Sequence, residues 1–233
     1  MGYSAQKRII RKLDLERFLA EIKPHPRPSL RLEQYTTPTS VAATVLYLAA
    51  YVYGDIIGKV VLDLGCGTGR LALGCAFLGA KSVVGVDIDS LAVKLASEAS
   101  AKLGFNSVAQ WVNGDLNSIS GKFDTVLQNP PFGVHKRGAD RVFLERALQL
   151  AESVYSLHNH PFTDKGLLKQ LKANSGILQI EAPSFITRIA EAYNARAEAA
   201  YALLLTIPHM FNFHSKEKRE IITDLYVIKR SIA

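Results

Sequence analysis

The chain has 233 residues, 48% of them hydrophobic and 21% charged. This composition excludes a mostly disordered chain and allows a sizeable core without cross-links. Two cysteines, Cys66 and Cys75, are too few for a disulfide framework or a four-thiolate zinc site. A net charge of +7 favours a polyanionic partner, although it equally suits plain solubility.

Residues 1–30 read as a basic helix and a Pro-rich linker on a single domain spanning 1–233. Between 4 and 22, Ile9, Ile10, Leu13, Phe18, Leu19 and Ile22 recur at helical spacing, with Lys7, Arg8, Arg11, Lys12 and Arg17 among them. That basic face is either solvated or a contact for phosphates. It carries no signal-peptide core, so a cytoplasmic protein is expected. Pro24-His25-Pro26-Arg27-Pro28 cannot continue a helix or sheet. A second helix should start with Thr37 as cap and Pro38 in its first turn. The apolar run that follows, Val41 to Tyr53, is too short to span a bilayer, which takes ~20 residues.

From Val60 the pattern changes. Short apolar runs at Val60–Leu64, Val83–Asp87, Val108–Val112, Phe123–Gln128 and Val154–His158 read as strands. Helical patterns lie at about 70–79, 90–103 and 139–153. A helix at about 184–196 and strands at Ala200–Ile207 and Ile221–Ile228 follow. Residues 160–183 read as an insertion whose detail stays open. The alternation predicts an α/β fold with a mostly parallel seven-stranded sheet and helices on both faces. Ligands of such sheets bind at the carboxyl ends of the strands.

Those ends carry the chemistry. After the first strand comes Asp63-Leu64-Gly65-Cys66-Gly67-Thr68-Gly69-Arg70. Glycines at alternate positions let the backbone turn sharply and approach a ligand. The G-x-G-x-G spacing departs from the dinucleotide pattern, with Arg70 where the third glycine would fall. Asp63 can accept hydrogen bonds from the ammonium of an amino-acid-like ligand. Asp87, ending the second strand, can accept both hydroxyls of a ribose. Asp115, beyond the third, can reach an adenine amine. Together they suit a nucleoside with a charged tail. The phosphate-loop spacing of Gly74 and Gly79 runs on into Ala80-Lys81 and is rejected.

The fourth strand ends in Gln128-Asn129-Pro130-Pro131-Phe132-Gly133. Two prolines fix the backbone and remove two amide donors. Carbonyls of this corner and the Asn129 side-chain oxygen form acceptors for a planar amine, and Phe132 offers a stacking face. Acceptors gripping both N–H bonds favour a pyramidal nitrogen whose lone pair can attack an electrophilic methyl group.

Asp63 to Gly69, Asp87, Asp115 and Asn129 to Phe132 resemble the amino-methylating class I S-adenosylmethionine-dependent methyltransferases, a Rossmann-like fold. Leu32 to Thr37, Phe123 to Val126, Val154 to His158 and Phe213-His214 narrow the resemblance to the methyltransferase-like protein 5 family. Its members methylate N6 of an adenosine in small-subunit ribosomal RNA. The resemblance implies S-adenosylmethionine as cofactor, met by Gln34, Thr37, Asp63, Gly65, Gly67, Thr68, Gly69, Arg70, Asp87, Asp115 and Leu116. It implies Asn129, Pro130, Pro131 and Phe132 as the catalytic motif. It also implies a small zinc-binding activator subunit at the sheet edge, near residues 108–112.

His135, Lys136 and Arg137 follow the corner and are candidates for RNA phosphates. His158, His160 and His214 lack ligand-spaced partners, so no metal is expected. Trp111 and Tyr155 read as core. The competing functions are a DNA adenine or protein glutamine methyltransferase, or an RNA-binding module without turnover.

Overall fold

A computed structural model describes residues 9–132, 138–161, 165–208 and 218–231. The N-terminal segment forms α1 (Lys12–Ala20) and α2 (Thr39–Tyr47), the latter continued by a wide turn over Leu48–Val52. The sheet region follows as β1 (Val60–Leu64), α3 (Arg70–Phe77), β2 (Ser82–Asp87), α4 (Ser90–Leu103), β3 (Ala109–Asn113) and β4 (Phe123–Gln128). Then come α5 (Ala139–Leu150), β5 (Ala151–Asn159), α6 (Lys165–Ala173), β6 (Ile177–Ile180), α7 (Ser184–Ala192), β7 (Ala195–Pro208) and β8 (Lys218–Arg230). No described helix is long and apolar enough to cross a membrane.

The strands form one sheet in the order β3-β2-β1-β4-β5-β8-β7-β6. The five strands from β3 to β5 run parallel, and β8, β7 and β6 pair antiparallel. The chain leaves β1 toward β2 and β3, then returns to the other side of β1 as β4. This reversal opens a crevice at the carboxyl ends of β1 and β4, the place such sheets reserve for ligands.

Helices cover both faces, so the central strands are buried and apolar. On one face α1, α2 and α3 pack against each other, with Phe18 stacked on Phe77 at 4.1 Å between ring centroids. Gly74 serves this packing: a Cβ there would lie 2.4 Å from Leu46 Cδ1. On the other face Leu144, Leu148, Ile186 and Ala190 of α5 and α7 cover Leu62, Leu64 and Val126.

The structure corrects several boundaries. There are eight described strands where the sequence predicts seven. The extra one, β6, comes with α6 from the 160–183 segment and forms the sheet edge beyond β7. Pro38, with φ −55° and ψ 146°, caps α2 in place of Thr37. α5 stops at Leu150, and Ala151 enters β5 directly, paired with Phe123. β7 begins at Ala195, five residues before the predicted strand, while α7 ends at Ala192.

Candidate active site

A cavity of about 370 Å³ opens in the crevice. Of the sequence-predicted cofactor residues, Gln34, Thr37, Asp63, Gly65, Gly67, Thr68, Arg70, Asp87, Asp115 and Leu116 line it, as do Asn129 and Pro131 of the corner. Gly69, Pro130 and Phe132 stand outside the lining. His135, Lys136, Arg137 and His214 lie outside the described residues.

The glycine turn is held from below. Gly65, Gly67 and Gly69 have φ of +78°, +53° and +84°, the left-handed region that glycine tolerates. The amides of Gly65 and Cys66 both donate to the Val86 carbonyl at 2.9 Å. The Gly67 amide donates to Asp87 Oδ2 at 2.8 Å. Asp87 Oδ1 accepts from the Asp89 amide at 2.9 Å. Each Asp87 oxygen thus holds one backbone donor and keeps a further lone pair for the cavity. Burial raises the proton affinity of this carboxyl.

Asp63 is 1% exposed. One of its oxygens accepts from the Ala72 amide at 2.9 Å, while Oδ1 is buried with no partner among the described residues. Burial pushes this carboxyl up to about 7. An orphaned buried acceptor on a cavity wall marks a missing donor. An ammonium group supplies one.

Arg70 is a strut. Its guanidinium donates to the carbonyls of Thr37 and Ile22, both at 2.7 Å, and burial lowers its pKa. Gln34 is also a tie: its side chain accepts from the Ser29 amide and donates to Asp89 Oδ2, both at 2.7 Å. Asp115 accepts from the Asn117 amide at 2.7 Å and caps the short turn Leu116–Ser118. The side chains of Arg70, Gln34 and Asp115 therefore shape the wall while remaining part of it.

Asn129 sits at the end of β4. Its Nδ2 donates to Thr37 Oγ1 at 3.0 Å, and its Oδ1 is buried with no partner among the described residues. Pro130 is buried and Phe132 is half-buried beside it. An acceptor without a partner among the described residues thus belongs to a side chain that lines the same cavity as the glycine turn.

Sequence reasoning missed His25, Asp89, Ile88 and Phe143, which belong to this site or its frame. His25 Nδ1 accepts from the Arg27 amide, and its Nε2 lies 3.2 Å from Asp89 Oδ2. Asp89 also caps α4, accepting from the Leu91 amide at 2.9 Å. Ile88 is 61% exposed and, like Phe143, gives the cavity an apolar wall. The Asp89-Ser90 cap was readable. The apolar wall was not, since single exposed apolar residues are common.

Arg11, just before α1, and Arg17 on it both lie against Asp14, at 2.7 and 3.7 Å. The remaining basic candidates Lys7 and Arg8 lie outside the described residues. Trp111 and Tyr155 pack as expected, with Tyr155 fully buried.

This fold, glycine turn and acidic strand end define a class I methyltransferase, whose methyl donor is S-adenosylmethionine. The family described as Methyltransferase small domain matches residues 43–156. The rRNA N(6)-adenosine-methyltransferase METTL5 of Danio rerio is 35% identical, over 91% of this chain and 95% of its own. The Drosophila melanogaster enzyme of the same name is 33% identical, over 91% and 93%. The crystal structure of PH1948 from Pyrococcus horikoshii superposes with a TM-score of 0.78 at 33% identity, covering 97% of this chain and all of that one. The chain belongs to the methyltransferase-like protein 5 family.

Proposed function

We propose that this protein transfers a methyl group to N6 of an adenosine in RNA, with small-subunit ribosomal RNA as the substrate. The observation that carries the reading is the buried Asn129 Oδ1, without a partner among the described residues, at the cavity that Gly65 and Gly67 also line. The full-length relatives named as rRNA adenosine methyltransferases support it. They favour RNA over the DNA and glutamine alternatives.

S-adenosylmethionine, when bound, supplies a methyl group made electrophilic by a positively charged sulfur. Asp63 Oδ1 would receive its ammonium, Asp87 its ribose hydroxyls, and Leu116 and Ile88 the faces of its adenine. The glycine turn admits its backbone-facing side. The target adenosine would leave its stack to enter the Asn129 corner. There Asn129 Oδ1 and a corner carbonyl accept the two N–H bonds of the exocyclic amine, and Phe132 supports the ring. Gripped in this way, the nitrogen holds its lone pair out of conjugation and directs it at the methyl group. The amine lone pair would form the N–C bond as the methyl–sulfur bond breaks and its electron pair goes to the sulfur, leaving a neutral thioether. The nitrogen would then give up a proton to solvent, so no strong base is needed.

The partner expected at the sheet edge fits the topology. β3 pairs with β2 on one side, and no described strand lies on its other side. We place the small activator subunit there, and the protein in the cytoplasm.

The test is incubation with labelled cofactor and separate RNA, DNA and protein pools, followed by nucleoside mass spectrometry. N6-methyladenosine should form in ribosomal RNA with the natural chain and not with Asn129→Ala, while both bind cofactor alike. Label in protein or DNA alone would overturn the reading.

A further inference from the structure

A second cavity, of about 390 Å³, lies beside the first. α5 is the wall between them. Ala139, Val142 and Phe143 face the first cavity, and Asp140, Arg141 and Glu145 face the second. One helix width, roughly 10–12 Å with side chains, therefore separates the second cavity from the catalytic corner. The far wall is α7, which contributes Phe185 and Arg188, with Tyr193 just past its end.

Phe185 and Arg188 are unusual for a helix with a good buried face. Ile186 and Ala190 anchor it, yet Phe185 keeps 43% of its surface exposed at the cavity. The Arg188 side chain makes no hydrogen bond or ion pair with another described residue. Arg141 is already neutralised by Glu145 at 2.8 Å. One uncommitted cation beside two aromatic rings remains.

His158 closes the cavity on the sheet side. Its Nδ1 is 3.3 Å from Asp140 Oδ2, and its Nε2 is 2.7 Å from Ser156 Oγ. The trio has the composition of a hydrolytic triad. Ser156, however, is fully buried and accepts from Gln128 Nε2 at 2.8 Å, so it offers no reachable nucleophile. The chain of bonds instead joins the cavity to Gln128, the residue before Asn129.

We propose that this cavity is the subsite for a nucleotide flanking the target adenosine. Its base would stack on Phe185 and Tyr193, and its phosphate would meet Arg188. The proposal rests on the RNA reading above. Single-stranded RNA is held by stacking on aromatic rings and by isolated cations. A target base turned into the corner sends its neighbours outward, and this cavity is one helix away. Asp140 and Glu145 add acceptors for a base edge, which gives the subsite a means of choosing its nucleotide.

The experiment uses the full chain with a ribosomal-RNA oligonucleotide that it methylates, and with copies abasic at each flanking position. Phe185→Ala should raise the KM for RNA roughly tenfold, the loss expected for one base–aromatic stack, and Arg188→Gln, which removes a phosphate contact, should raise it and flatten its salt dependence. The cofactor Kd should not change. One abasic copy should weaken the natural chain and have no further effect on Phe185→Ala. Variants that methylate RNA with unchanged KM overturn the subsite and leave the function standing. So does an abasic penalty that persists in Phe185→Ala, or loss of a bound protein with RNA kinetics intact. A natural chain that transfers nothing to any RNA overturns the functional reading, and the subsite with it.

Discussion

Asn129 Nδ2 donates to Thr37 Oγ1 at 3.0 Å across 92 positions of sequence. This bond orients the Asn129 amide, since the hydroxyl takes its nitrogen and leaves Oδ1 facing the cavity. Thr37 is itself fixed, because its carbonyl accepts from Arg70 at 2.7 Å. The segment before the sheet thereby aims the acceptor at the end of β4.

Thr37→Val keeps the shape and removes the hydroxyl. A net hydrogen bond is worth about 0.5–1.5 kcal/mol, so kcat should fall by about two- to twelvefold. Thr37→Ser should restore most of it. An unchanged kcat in Thr37→Val would show that the amide needs no help from this hydroxyl.

The parallel half of the sheet was legible because buried parallel strands read as short apolar runs. β1 and β4 match their predicted limits residue for residue. The failures have local causes. Ala195, Ala197 and Ala199 favour a helix by propensity. In the fold Arg196 and Glu198 between them are exposed and pair at 2.8 Å, and pairing with β8, with one register shift between Ala197 and Ala199, holds the segment extended. Asn194, with φ +53°, ends α7 just before them. No turn residue marks the junction of α5 and β5. The site's acidic and glycine residues were legible because turn chemistry demands them. The strut role of Arg70 was not, because it depends on carbonyls distant in sequence.

Asp63 gives a pH prediction. Its buried carboxyl titrates at about 7, against about 3.9 in an unfolded chain. A raised folded value favours the protonated form. Its contribution to stability is therefore full below about pH 4 and lost as pH rises through 7. Binding of an ammonium needs the carboxylate, so below pH 7 the proton must first leave. Cofactor affinity should rise with pH by up to about tenfold per unit and level off above 7. Asp87, also raised by burial, adds to the acid limb. Calorimetry across pH 5–8 reads the slope, which Asp63→Asn should flatten. A natural chain with no slope refutes the assignment.

Gly69 and Trp111 give a stability prediction. A Cβ on Gly69 would lie 2.5 Å from Trp111 Cη2, and the φ of +84° is itself costly for an L side chain. The two penalties are about 1–3 and 1–2 kcal/mol. Gly69→Ala should lower unfolding free energy by at least about 2 kcal/mol in urea titration. Adding Trp111→Leu relieves the contact and leaves the φ, so it should compensate for part of the loss. Full additivity of the two changes would show that the ring does not set the cost.

The β3 edge gives the last prediction. Ala109, Gln110, Trp111, Val112 and Asn113 carry no charge, and β3 pairs only with β2 among the described strands. Soluble proteins guard such an edge with charge, proline or a cover. Here Asn113 Nδ2 bonds inward to the carbonyls of Asp87 and Ile88, both at 3.1 Å, and holds β3 against the cavity's acidic strand end. A partner strand added to β3 would therefore act on the part of the frame that carries Asp87. Co-expression with the activator should slow amide exchange at the outward-facing positions of residues 109–113 and tighten cofactor binding. Gln110→Lys, at an exposed position, should weaken assembly and leave the isolated chain's cofactor affinity unchanged. Equal exchange with and without the activator, or full protection in the isolated chain, would remove β3 as the docking edge.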